Sequence, residues 1–110
     1  MSARYVVLPK ADKDLDDEAY YLVEEAGLEK GLSFLAAARE TFALLAGNPG
    51  MGWKCRLEHP SLASARVFRV TRFERILVFY RPCSPGIEIM RVLHSSQDLE
   101  ELFAKEGAPD

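Results

Sequence analysis

Gly47-Asn48-Pro49-Gly50-Met51-Gly52 divides the chain into two kinds of sequence. Before it, apolar residues recur at spacings of three and four; after it, they alternate with polar residues or gather in short β-branched and aromatic runs. Three glycines and a proline within six residues mark a loop, so the change of period is also the place where helix gives way to strand.

Immediately upstream, Gly31, Leu35, Ala38, Phe42 and Leu45 form one stripe, which predicts a helix stopped by Gly47 and Pro49. Earlier, Ala11, Leu15, Ala19, Leu22, Val23 and Ala26 form another. Pro9 suits its first turn, Asp12 and Asp14 lie near the positive end of its dipole, and Gly27 offers a left-handed cap. The acidic run from Asp12 to Glu18 reads as a solvated helix face. Two helices joined at a single glycine must fold back as an antiparallel hairpin, because so short a link leaves few other geometries. Gly31 and Ala38 allow the two to approach closely. Arg4-Tyr5-Val6-Val7-Leu8, before the first helix, reads as a strand.

Downstream, Trp53, Cys55 and Leu57 alternate with Lys54 and Arg56, and residues 66–71, 76–81 and 87–93 are rich in Val, Ile, Phe and Tyr. The segments 71–75 and 82–86 are short enough to close hairpins, which predicts an antiparallel meander. Ser95 followed three residues later by Asp98 fits a helix-start signal, and Leu99, Leu102 and Phe103 supply the apolar face of a short final helix. His94 is then the last strand residue, and Gly107 and Pro109 close the helix ahead of an acidic terminus that frays. The order is α+β: an N-terminal strand, an antiparallel two-helix hairpin on one face of an antiparallel β-sheet, and a short C-terminal helix. Residues 1–110 make one domain, with 48% apolar residues to build its core.

Two cysteines, Cys55 and Cys83, with no C-x-x-C pair and no His/Cys cluster, point away from a disulfide framework and from a metal site. The N-terminus turns acidic before any apolar run reaches signal-peptide length, and no run approaches a membrane span. A cytoplasmic protein is expected. The formal charge of −3 hides a partition: residues 51–94 hold eight basic and three acidic residues, a net +5, while the segments on either side are each net −4. A cationic middle suits an anionic partner or the chain's own acidic parts. A pI near 5.4 makes direct binding of nucleic acid a poor expectation.

His94 is a candidate general base, although spacing alone supplies no partner to orient it; the alternative is a strand-end side chain bonded to the Ser95-Ser96 turn. His59, before Pro60, belongs to a loop. By strand parity Arg66 shares a face with Phe68 and Val70, and Arg91 shares one with Ile87, Ile89 and Leu93. A charge on an apolar face is costly unless paired, so Arg91 calls for an acid from the helical hairpin, a bulge that re-aims it, or a partner's carboxylate. Arg69, Arg72 and Arg75 cluster around Phe73, and with Lys54 and Arg56 they make a cationic patch. No P-loop, G-x-S-x-G, G-x-G-x-x-G or H-E-x-x-H is present, and nothing implies a cofactor.

Five segments in order resemble the RelE/ParE superfamily of bacterial toxin–antitoxin toxins, its ParE branch in particular. They are Pro9-x-Ala11-x-x-Asp14-Leu15, Phe42-x-x-Leu45-x-x-x-Pro49-x-x-Gly52, Arg66-x-Phe68-x-Val70, Ile76-x-Val78-Phe79-Tyr80-Arg81, and Ile87-x-Ile89-x-Arg91-Val92-Leu93-His94. The resemblance implies a helical hairpin on an antiparallel sheet. It also implies a small toxin in a hetero-oligomer with a cognate antitoxin whose C-terminal segment wraps it. ParE-like members are associated with poisoning DNA gyrase, whereas RelE-like members cleave messenger RNA on the ribosome with several Lys and Arg residues plus a C-terminal Arg and Tyr.

Here the stretch after the last strand, His94 to Glu101, carries no Arg, Lys or Tyr, which favours a non-enzymatic toxin over the ribonuclease. Gln97 stands where the ParE branch often has Arg. The leading expectation is thus a ParE-like toxin that binds a protein target, DNA gyrase being the one the resemblance suggests, and is neutralised by an antitoxin with an acidic C-terminal segment. Lys54, Arg56, Arg69, Arg72, Arg75, Arg81 and Arg91 are the candidate contacts. Two alternatives stand beside it: an endoribonuclease using His94 as base with Lys54, Arg56 and Arg75 on the phosphate, and an inactive toxin-derived binding module.

Overall fold

A computed structural model describes residues 4–106. In chain order it contains β1 (Arg4–Val7), α1 (Pro9–Ala26), α2 (Leu28–Gly47), β2 (Trp53–Lys54), a 3-10 turn at Pro60–Leu62, β3 (Arg66–Val70), β4 (Phe73–Cys83), β5 (Gly86–His94) and α3 (Leu99–Glu106). The strands form one sheet in the order β1-β5-β4-β3-β2. From β2 to β5 it is the expected antiparallel meander. The sheet as a whole is mixed, because β1 joins it parallel to β5. The helical hairpin carries the chain across to the opposite edge, and the meander then steps back until β5 arrives beside β1. That pairing is close: a Cβ at Gly86 would overlap the carbonyl of Arg4.

Pro9 occupies the first turn of α1, and the helix ends at Gly27, whose N–H bonds the Val23 carbonyl at 2.9 Å. Gly27 has φ +98°, a conformation that costs an L side chain dearly, and this one residue reverses the chain into α2. Gly31 lies in the seam between the helices, where a Cβ would come 2.5 Å from Val23 Cγ2. The hairpin buries Ala11, Leu15, Ala19, Phe34, Ala38, Phe42 and Leu45 against Val70, Ile76, Val78, Tyr80, Ile87, Ile89 and Val92 of the sheet. Edge-to-face contacts of Tyr5 on Phe42 and Phe34 on Phe73 extend this core. Thr41, the buried hydroxyl of α2, accepts the Thr71 N–H at 3.0 Å and so ties the β3–β4 turn to the helix.

The strands are longer and the turns tighter than the apolar runs indicate. β4 begins at Phe73, leaving only Thr71 and Arg72 to turn the chain, with Arg72 at φ +68°. The loop at 47–52 is fixed from inside: the Tyr80 hydroxyl donates to the Pro49 carbonyl at 2.8 Å and accepts the Gly52 N–H at 2.9 Å. Arg66, on the Phe68 face as parity requires, reaches out to the carbonyls of Gly52 and Gly50.

The second face of the sheet is also covered. Leu62, Ala65, Val67, Phe79, Met90, Leu93 and Phe103 form a smaller core beneath α3 and the segment after β2. That segment leaves the ladder after Lys54, although the Cys55 N–H still bonds Ala65. Burial pushes the Cys55 thiol pKa up. The start of α3 differs from the expectation: Asp98, not Ser95, caps it, its carboxylate accepting the Glu101 N–H at 3.1 Å. Ser95 instead continues the sheet, its N–H bonding the Arg75 carbonyl at 2.7 Å. Gly107 and Pro109 lie outside the described residues.

Candidate functional site

The β4–β5 ladder slips by one residue, so that Phe79 faces Arg91 while Tyr80 faces Ile89, and Met90 is the extra residue. Such a bulge reverses parity beyond it. Ile87 and Ile89 therefore face the helices, whereas Leu93 and Arg91 turn to the second face, where the Arg91 guanidinium lies 5.9 Å from the centre of the Phe103 ring. The expected common face of Arg91, Ile87, Ile89 and Leu93 is thereby corrected. Arg91 is only 5% exposed. Its Nε and Nη2 bond the two Asp14 oxygens of α1 at 2.8 and 3.0 Å, so the acid from the hairpin and the bulge both account for it.

The remaining candidate cations fall into two groups. Arg81 and Arg72 have carboxylates: Arg81 Nε bonds Glu88 at 2.6 Å, and Arg72 lies 3.5 Å from Glu40 across open surface. Lys54, Arg56, Arg69 and Arg75 are exposed, with no ion-pair partner among the described residues. Lys54 and Trp53 form the outermost strand, Arg69 lies over the Trp53 ring at 5.4 Å, and Trp53 leans on Phe68. The β2 edge thus combines unpaired backbone, an exposed aromatic ring and uncompensated positive charge.

At the other end of the sheet, α1, the last residues of β5 and α3 enclose a groove of about 620 Å³, lined on the α1 side by Lys10, Asp14, Glu18 and Tyr21. His94 borders it. Its Nδ1 accepts the Ser96 N–H at 3.1 Å and meets the Ser96 hydroxyl at 2.8 Å, the strand-end arrangement. Nδ1 is thereby engaged with the Ser95-Ser96 turn. Glu18 faces the same space: desolvation raises its pKa, and the nearby His94 opposes that rise. His59 accepts the Ser61 N–H through Nδ1 and opens the 3-10 turn. Among the described residues no group of His, Cys, Asp and Glu has the arrangement of a metal site. Nor is any helix long and apolar enough to cross a membrane.

Asp14 and Glu18 are the site residues that the reading of the acidic run as a solvated face misses. The signal is present: they fall beside Ala11, Leu15 and Ala19, on the flank of the apolar stripe, where a helix meets its neighbours.

The model of the ParE toxin family, described as the ParE toxin of the type II toxin–antitoxin system parDE, matches residues 5–99. No curated protein matches the chain. A solved structure described as a chromosomal ParDE toxin–antitoxin system from P. aeruginosa superposes with a TM-score of 0.69 at 23% identity, covering 84% of this chain and 96% of that one. A match from β1 to the start of α3 takes in both helices, every strand and the Asp14–Arg91 pair; the chain belongs to the ParE toxin family.

Proposed function

We propose that this protein is a cytoplasmic growth-inhibiting toxin that acts by binding a protein target, DNA gyrase being the target ParE-like members are associated with, and that a cognate antitoxin holds it silent. The observation that carries the antitoxin half is the β2 edge. An extended segment laid against Trp53-Lys54 would find free backbone groups for strand addition, while acidic side chains on it would meet Lys54, Arg56 and Arg69. Complementary charge of this sort speeds encounter and selects the partner. Arg91 and Arg81 have a different part in this reading. They brace the fold through Asp14 and Glu88, and the contact surface is the edge and not the face beneath α3.

The test is induction of the chain with and without the gene encoded beside it. Growth arrest that the neighbour relieves, together with inhibition of purified gyrase in a supercoiling assay, is the expected result. Normal growth with unaffected gyrase rejects the toxin–gyrase reading, and translation-dependent cleavage of transcripts would replace it with the ribonuclease. Triple reversal of Lys54, Arg56 and Arg69 to Glu should weaken antitoxin binding by about 100-fold and abolish most of its salt dependence.

A further inference from the structure

The groove between α1 and the end of β5 differs in kind from the β2 edge. β1 stops at Val7 while β5 runs on to His94, so β5 has an outer edge with no strand beside it from Arg91 onward. The N–H groups of that edge are already engaged. The Val92 N–H donates to Asp14 Oδ2 at 3.0 Å, and the His94 N–H donates to Gln97 Oε1 at 3.1 Å. A partner strand would find no free N–H at Val92 or His94, so side chains are the better means of recognition here.

The charges in the groove are mostly committed. Asp14 holds Arg91, and Asp17 holds Lys13 at 2.9 Å. Glu18 is the acid of this wall for which no ion pair is found among the described residues; it is half-buried, and His94 borders the same space. Beside it the Tyr21 ring is 56% exposed, and Leu102 of α3 closes the opposite wall. A half-desolvated carboxylate flanked by an aromatic ring and an aliphatic side chain matches a long cationic side chain, whose methylene stem covers apolar surface while its head meets the acid.

We propose that this groove receives one lysine or arginine side chain of the antitoxin, with its charged head on Glu18 and its stem along Tyr21 and Leu102. The inference rests on the antitoxin reading above and adds to it a second contact of opposite polarity. The antitoxin then presents acid to the β2 edge and base to the α1–β5 groove, which fixes the direction in which it lies on the toxin.

The test is titration of the whole chain with the antitoxin encoded beside it, using Glu18→Gln, Glu18→Lys and, as a control on the exposed side of the same helix, Asp16→Asn. Glu18→Gln should weaken binding about tenfold and Glu18→Lys more, with Asp16→Asn unchanged. Changing one Lys or Arg of the antitoxin to Glu should restore binding to Glu18→Lys. Thermal melts check that each variant is folded, and Glu18→Gln removes a burial cost, so it should melt no lower than the parent. If the parent complex forms and both Glu18 variants bind as tightly as the parent, the groove proposal falls alone. If the folded parent does not bind that antitoxin, the antitoxin reading falls and the groove proposal with it.

Discussion

Asp14 and Arg91, 77 positions apart in the chain, meet in a two-point ion pair whose carboxylate also accepts the Val92 N–H at 3.0 Å. One side chain thus neutralises a buried guanidinium and caps the open edge of β5. Asp14→Ala removes both and strands the charge, so unfolding in urea should show a loss of about 3–5 kcal/mol. The double variant Asp14→Ala/Arg91→Met should lose less than Asp14→Ala alone, because no unpaired charge remains. Equal losses in the two would show that the pair is incidental.

Tyr80 is a core residue that also holds the 47–52 loop through its hydroxyl. Tyr80→Phe leaves the Gly52 N–H and the Pro49 carbonyl without their partner, for an expected loss of about 1–3 kcal/mol. Gly52→Ala should be at least as damaging, since its Cβ would stand 2.6 Å from both the Tyr80 hydroxyl and the Val67 carbonyl, and a strand carbonyl cannot yield. The two losses should not add in the double variant, as both act on one contact.

At Gly31 two effects compete. Alanine gains about 1 kcal/mol in helix propensity. Its methyl group would press on Val23 Cγ2 at 2.5 Å and on the Ala19 carbonyl at 3.0 Å, and overpacking of that kind costs about 1–3 kcal/mol. Packing should win, with Gly31→Ala less stable than the parent and Val23→Ala recovering part of the loss in the double variant. A more stable Gly31→Ala would mean that the helices separate freely.

Glu18 sets a pH dependence of its own. Its folded carboxyl binds a proton more tightly than in the unfolded chain, chiefly through desolvation. Over the interval from the ordinary glutamate range up to that raised value, the folded state holds the extra proton. The associated stability is fully present below the ordinary range and is lost as pH rises through the folded value. Melting temperatures of the parent and Glu18→Gln should converge in acid, below about pH 4, and separate toward neutral pH with the glutamine variant higher. Parallel curves across that range would contradict the burial of Glu18.

Periodicity was enough to read the helical hairpin, the meander and the final helix, because each buries one continuous apolar face and a face leaves a repeat in the sequence. What it could not show depends on single residues. The bulge at Met90 adds one residue to a strand of otherwise regular composition, and that one residue moved Arg91 and Leu93 to the opposite face from the one parity assigns. Asp98 caps α3 in place of Ser95 because the backbone of Ser95 is still held in the ladder with Arg75, so that the helix starts only at Leu99, directly after Asp98. The parallel pairing of β1 is invisible in its four residues, since nothing in Arg4-Tyr5-Val6-Val7 names a partner more than eighty positions away. Among the candidate cations, type alone did not separate Arg91, consumed by Asp14, from Lys54 and Arg75, which face solvent; only the third dimension does.

The seating of β1 against Gly86 to Ile89 has a consequence for the order of events during synthesis. The first strand to leave the ribosome waits for the last, and until residues near position 90 have emerged from the exit tunnel there is no completed sheet for the two helices to cover. A chain that stops before Gly86 has no strand to receive β1, so it can neither close the sheet nor cover the inner face of the two helices.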